Sequence, residues 1–299
     1  MKSKYRILDI LVFLFINLLL FSCVPQKKVV THQQEIATLD SLMMDYRNIL
    51  KELDTKRINK QNNNEIDDSV SSGINKFIGR TYNEIDILVA QNSILVGDVE
   101  VDKKDWNQLQ KALALSQNTT KLINDKVSLI NDLINRNTVI KLDQDVFFGP
   151  GKYTVTPEVV SSIGNFFEPA AKEIDAFIKK YPDFPLSLVI TAKGYADATT
   201  IGEGSSLYKD LKDELRLSGK QQLTNTDLNQ ALSTKRAKTV IDLFQVFEKR
   251  LASNGNNISH IIFLHEGKGE ALPNPKATDY KTDDPRRRVV LLFWGVFPD

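Results

Sequence analysis

The period at which apolar residues recur changes near Asp143, and that change divides the chain into two kinds of structure. Before it, Ile36, Leu39, Met43, Tyr46, Leu50 and Leu53 fall at three- and four-residue steps, the stripe of an amphipathic helix running to about Ile58. Residues 60–68 (KQNNNEIDD) form a polar break. A second stripe carries Val70, Ile74, Phe77, Ile78, Ile85 and Leu88, and residues 97–102 read as a turn. A third runs from about Asp105 to Asn137 with Leu109, Leu113, Leu122, Ile123, Val127, Ile130 and Leu133. Amphipathic stretches joined by short polar breaks predict an α-helical bundle or stalk over residues 34–140. Its stripes read as core or self-association seam, with a docking face for another protein as the alternative.

After Asp143 the pattern alternates between strand and helix. Residues 145–148 form a short apolar strand, and Gly149-Pro150-Gly151 turns the chain. Thr156 then caps a helix with Pro157 at its first position, where the missing N–H costs nothing. Val160, Ile163, Phe167, Ile174 and Ile178 line its apolar face, and Pro169 predicts a kink or a division. Residues 186–192 (LSLVITA) read as a buried strand. A second helix starts near Thr226 or Asp227 and runs to about Leu251, with Leu232, Val240, Ile241, Phe244 and Phe247 inward. Residues 260–264 (HIIFL) and 288–293 supply two further strands. The expected class is α/β: a two-layer sandwich, a mixed sheet with helices on one face, over residues 143–299.

The first residues read as an address. Lys2, Lys4 and Arg6 precede an apolar run from Ile10 to Phe21, broken only by Asn17. A basic start before a short apolar core is the secretory pattern. A helix of that length rises about 18 Å, short of a hydrocarbon core of about 30 Å, so a spanning helix is the weaker reading. The run ends in Leu20-Phe21-Ser22-Cys23, which resembles a bacterial lipobox, with Phe21 bulkier than the commonest residue at its position. The resemblance implies a signal peptide over 1–22, acylation of Cys23, and a polar tether over 23–33. Val24 in place of Asp after the cysteine resembles the outer-membrane default. The implied location is the outer membrane, lipid-anchored and facing the periplasm.

Composition removes several functions. Cys23 is the only cysteine, so neither an intrachain disulfide nor a multi-cysteine metal site is available. The histidines are His32, His260 and His265, too few for a histidine-rich metal site. Lys and Arg total 39 against 38 acidic residues, a balance that argues against a broad nucleic-acid surface. His265-Glu266 lacks the second histidine of a zinc-protease motif, and neither a phosphate-binding loop nor a Gly-x-Ser-x-Gly elbow occurs. No catalysis, metal or cofactor is expected.

The second half also carries an ordered set of short motifs. Phe147-Phe148-Gly149 is followed by Thr156-Pro157-Glu158, then by Gly194-Tyr195-Ala196-Asp197. Asn229-Gln230-Ala231-Leu232-Ser233-Thr234-Lys235-Arg236-Ala237 follows, then Gly267-Lys268-Gly269-Glu270 and Arg287-Arg288-Val289. In this order they resemble the OmpA-like domain, the peptidoglycan-binding module of outer-membrane proteins, Pal-type lipoproteins and flagellar stator proteins. The resemblance covers about residues 143–297. It implies a non-covalent site for the stem peptide of peptidoglycan, chiefly its diaminopimelate. That residue ends in an ammonium and a carboxylate on one carbon, which calls for an acceptor and a cation at fixed separation. The matched positions are Asp197 for the ammonium, Arg236 and Arg287 for carboxylate, and Asn229 and Leu232 for the pocket wall. Arg288 is expected to alternate away from Arg287 on the strand.

Two departures stand out. Ala196 replaces the family's usual threonine, and the stretch between Asp197 and Asn229 is longer than usual. The insertion, about residues 201–225, places Leu207, Tyr208, Leu211 and Leu215 at helical spacing with Lys209, Asp210, Lys212 and Glu214 between them. It predicts a helix that decorates the domain, forms a lid, or docks a partner. The resemblance therefore implies an outer-membrane lipoprotein that links the envelope to the cell wall. The alternatives are an anchoring subunit of an envelope machine or stator-like complex, or a protein-binding derivative of the fold.

Overall fold

A computed structural model describes residues 26–97, 103–136, 139–143, 147–148, 151–248 and 258–298. The expected signal peptide, Cys23, most of the turn at 97–102 and the pair Gly149-Pro150 lie outside the described residues. No helix among the described residues is long and apolar enough to cross a membrane.

Three long helices come first: α1 (Gln26–Asn62), α2 (Asp68–Val96) and α3 (Lys103–Asn135). The beginning of α1 corrects the tether expected over 23–33, because Gln26 onward is helical. The cause is Val29, which extends the stripe one heptad ahead of Ile36. Val29 is 1% exposed, and Ile36, Met43 and Leu50 are fully buried. A strict seven-residue step is the seam of a coiled coil rather than of a straight surface helix.

The chain divides into two compact units, but not near residue 140 as the sequence suggests. One comprises residues up to Glu52 with Ile78–Ser128; the other comprises Leu53–Phe77 with Leu129–Asp299. In the first, Val29, Ile36, Leu109 and Leu113 form a core flanked by Leu39, Leu95 and Trp106. A polar layer interrupts it. Asn92 donates to Asp40 Oδ1 at 2.6 Å and accepts from Ser116 Oγ at 3.0 Å. Such a layer favours one helix register over its neighbours. Burial raises the Asp40 carboxyl above its ordinary range, although the Asn92 bond opposes the shift.

The second unit is built on a four-stranded mixed sheet, the α/β class expected from the sequence. Its strands are β1 (Val139–Asp143), β2 (Leu186–Gly194), β3 (Ile258–Gly267) and β4 (Val289–Pro298), in the order β1-β4-β2-β3. β4 pairs antiparallel with both β1 and β2, while β2 and β3 run parallel. The first strand is thus earlier than the expected 145–148. Val139, Ile140 and Leu142 meet Phe293, Leu292 and Val290 across the ladder. Phe147 and Phe148 are core residues instead, each 2% exposed, with the Phe147 ring 4.8 Å from that of Phe166.

Between the strands lie α4 (Pro157–Lys180), α5 (Ser206–Leu217) and α6 (Asn225–Glu248). Thr156 caps α4 by accepting from Val159 N, and Pro157 opens it. Pro169 lies inside α4 without dividing it. Phe167 of α4 packs on Phe244 of α6 with ring centroids 4.9 Å apart. α6 lies against one sheet face so closely that a Cβ on Gly194 would stand 2.1 Å from the Ser233 carbonyl oxygen.

The opposite sheet face carries the segment Leu53–Phe77. A Cβ on Gly295 would meet Val70 at 2.4 Å, and one on Gly73 would meet the Phe297 ring at 3.1 Å. Lys193, pointing to this face from β2, places Nζ 2.9 Å from Asp67 Oδ1 and 3.1 Å from Asp68 Oδ2. Thr191, two residues earlier on the same face, donates to Asp67 Oδ2 at 3.2 Å. The two-layer sandwich read from the sequence therefore gains a third layer from the helical region.

Candidate functional site

The loop that leaves β2 is held by backbone bonds on both sides. Tyr195 N donates to Val289 O at 2.9 Å, Ala196 N to Gly269 O at 2.7 Å, and Ala198 N to Thr282 O at 3.0 Å. Tyr195 is buried with Val289, Leu291 and Phe293, and burial pushes its phenol up to about 12. This clamp fixes the position of Asp197, which is 8% exposed.

The glycine turn after β3 ties the loop to α6. Gly269 takes φ +53, a left-handed conformation that glycine adopts without a Cβ penalty. Its N–H donates to Ser233 Oγ at 3.0 Å, while Lys268 N donates to Gly194 O at 2.7 Å. The short motifs legible in the sequence are therefore one another's backbone and side-chain partners.

Asp197, Asn229, Leu232 and Arg236 line one cavity of about 630 Å³, together with Phe148, Lys152 and Arg288. Asn229 donates to Glu270 Oε1 at 2.8 Å and to Thr199 O at 3.3 Å, so its amide is fixed by the loops it joins. Arg236 donates from Nε to Lys152 O at 2.9 Å, and its guanidinium stands 5.5 Å from the centre of the Phe148 ring. These contacts set the plane of the fork, which matters for a group that recognises carboxylates in two-point geometry.

Arg287 is not among the residues lining the cavity. It is buried and donates to the carbonyl oxygens of Glu270, Lys281 and Thr282, at 2.5, 3.5 and 3.4 Å. Arg288 lines the cavity instead and donates from Nη1 to Asp197 Oδ2 at 3.0 Å. The expected alternation assumed both arginines lie on the strand. A 3₁₀ turn, Pro285–Arg287, precedes β4, and Arg288 is its C-cap. The readable signal is Asp284-Pro285, an N-cap followed by a proline at the first position; Asp284 accepts from Arg286 N.

The cavity thus combines three cationic side chains, Lys152, Arg236 and Arg288, with the single carboxylate of Asp197. The excess of cation suits a ligand that presents more carboxylate than ammonium. A carboxylate has roughly four acceptor sites, and Arg288 and the Thr199 N–H, the latter at 3.3 Å, account for two of those on Asp197. Among the described residues no group of His, Cys, Asp and Glu is arranged to hold a metal ion.

No family model matches the chain, and no curated protein matches it. Among solved structures it is similar to the periplasmic domain of Helicobacter pylori MotB, at 16% identity over 52% of this chain and 74% of that chain. The TM-score of that match is 0.26, too loose a likeness to carry a functional statement.

Proposed function

We propose that this chain is a binding protein of the bacterial envelope whose cavity holds the diaminopimelate end of a peptidoglycan stem peptide. The observation that carries the reading is the convergence of Asp197, Arg236 and Arg288 on one cavity, at positions supplied by separate motifs. The zwitterionic carbon of the ligand sits with its carboxylate toward the arginine forks and its ammonium toward Asp197. Each charge-assisted bond contributes about 1.5–3 kcal/mol net, which gives a fragment modest affinity. Acylation at Cys23 ties the chain to the outer membrane, and the tethered, polymeric encounter raises the effective concentration. The role is binding, not catalysis, and the helical region outside the segment packed on the sheet offers a face to a protein partner.

Pull-down on purified sacculi tests the site. The unaltered protein sediments with the wall, while Asp197→Ala and Arg236→Ala each lose most of that binding with circular dichroism unchanged. Retention of wild-type binding by both variants sinks the assignment. The anchor is tested separately by intact mass and detergent partitioning: Cys23→Ser lacks acyl mass and either leaves the membrane fraction or stays as the unprocessed precursor. A wild-type protein without acyl mass removes the lipid anchor from the reading.

A further inference from the structure

The motif-bearing residues account for one side of the cavity. The other side is the inserted segment, which contributes Ile201, Gly202, Ser205, Ser206 and Leu207.

This wall is fixed rather than loosely draped. At its base, Ile201 N donates to Asn225 Oδ1 at 3.0 Å, and Asn225 Nδ2 donates to Thr199 O at 3.3 Å. Ser205 caps α5 by accepting from Tyr208 N at 3.0 Å, and it donates back to Gly202 O at 2.7 Å. Leu207 and Leu211 are buried against Leu228 and Leu232 of α6, with Tyr153, Tyr208 and Leu215 around them. Leu232 belongs both to this cluster and to the cavity lining. The inserted helix and the motif helix thus share one apolar core, and the wall is held at a set distance from Asp197 and Arg236.

The two sides differ in chemistry. The motif side carries the charges, whereas the inserted side offers hydroxyl groups, a bare glycine backbone and aliphatic carbon, with no ionisable group. A volume of about 630 Å³ falls within the range of sites that hold ligands of drug size, about 300–1,000 Å³, larger than one amino acid fills. A ligand matched to both sides is charged at one end and continues as neutral amide with a small aliphatic side chain.

We propose that the inserted segment forms a second subsite, which takes the amide backbone and small apolar side chain of a residue joined to the diamino acid. This rests on the wall-peptide reading of the charged side. The specificity of the site then lies in the length of the peptide, with Gly202 and Ser206 as the residues that set it. A Cβ at Gly202 meets nothing within 4 Å, so the position accepts a side chain without disturbing the fold. Ser206 is exposed at the first position of α5.

The test is calorimetric titration of the full chain in detergent with free meso-diaminopimelate and with the tetrapeptide L-Ala-γ-D-Glu-meso-diaminopimelyl-D-Ala. The tetrapeptide binds about tenfold or more tighter than the free amino acid, the increment of one or two neutral hydrogen bonds plus apolar contact. Gly202→Trp and Ser206→Tyr, each with a wild-type thermal midpoint, collapse that ratio toward one. If wild type binds both ligands equally, or both variants keep the ratio, the second subsite is overturned while the charged site stands. If wild type binds neither ligand, the wall-peptide reading fails and the inference with it.

Discussion

Arg288, the residue before β4, donates from Nη1 to Asp197 Oδ2 at 3.0 Å, although the two lie 91 residues apart in the chain. The pair is shielded without being sealed, with side chains 30% and 11% exposed. Both residues line the cavity, so a carboxylate ligand that reaches Arg288 meets a guanidinium already oriented by Asp197.

Arg288→Ala therefore weakens wall binding and costs about 1–2 kcal/mol of stability, a partly exposed ion pair being worth less than a buried one. A double-mutant cycle with Asp197→Ala checks it by urea denaturation. Additive losses would mean that the two side chains do not act as a pair.

Arg287 gives the opposite pattern. It is buried and donates to three carbonyl groups spread along the connection between β3 and β4, so its removal takes the donor from Glu270 O and loosens that connection. Arg287→Ala costs roughly 2–4 kcal/mol of stability and lowers the urea midpoint more than Arg288→Ala does, and Arg287→Lys fails to restore it because one ammonium cannot reproduce the fork. Equal midpoints for Arg287→Ala and Arg288→Ala would contradict the assignment of Arg287 to the scaffold.

The pair Lys193–Asp67 is nearly dry, with side chains 4% and 2% exposed. Lys193→Met strands a buried carboxylate and costs about 3–5 kcal/mol; replacing both partners by apolar residues costs much less. Burial opposes the ammonium of Lys193, but Asp67 and Asp68 outweigh it and hold the group above its ordinary range. A raised ammonium contributes stability fully below its unfolded value, about 10.4, and loses it as pH climbs through the higher folded value. Burial likewise opposes the Asp68 carboxylate, but hydrogen bonds from Gln61 and Lys193 outweigh it and hold Asp68 below its ordinary range. Its contribution is present above about pH 3.9 and lost as pH falls further. Urea midpoints across pH show an alkaline decline above about pH 10.4 that Lys193→Met lacks.

Two glycines give a contrast that needs no assay of binding. Gly194→Ala drives a methyl into the Ser233 carbonyl, which is backbone and cannot rotate away. It costs roughly 3 kcal/mol, whereas Gly202→Ala stays within about 0.5 kcal/mol of wild type. Thermal midpoints of the two variants measure the difference, and a neutral Gly194→Ala would mean that α6 sits farther from β2.

What was legible in the sequence was local or periodic. Thr156 and Pro157 announce the start of α4 because cap chemistry depends only on neighbours. Asp197, Asn229, Leu232 and Arg236 could be placed together because each belongs to an ordered motif, and they line one cavity. Arg288 was missed because a single 3₁₀ turn shifts which arginine faces the site. Pro169 predicted a kink or a division, and α4 is not divided there, its propensity cost outweighed by tertiary packing such as Phe167 on Phe244. The third layer was illegible: nothing local marks Gly73 and Gly295 as places of close approach, and their partners Phe297 and Val70 lie far away in sequence.

The strand order β1-β4-β2-β3 has a consequence for the time at which the fold closes. The last of the four described strands is an interior one, and among the described residues β1 pairs only with β4. Until residues 289–298 leave the ribosome, β1 stays unpaired and one edge of β2 stays open. The helical segment 53–77, made long before, waits for a sheet to cover. Docking it through Asp67 and Lys193 is a late event by construction, since non-local contacts form only after the intervening chain has closed. A sheet with this order stays open until its fourth strand is made, and the helix that covers it has to wait as long.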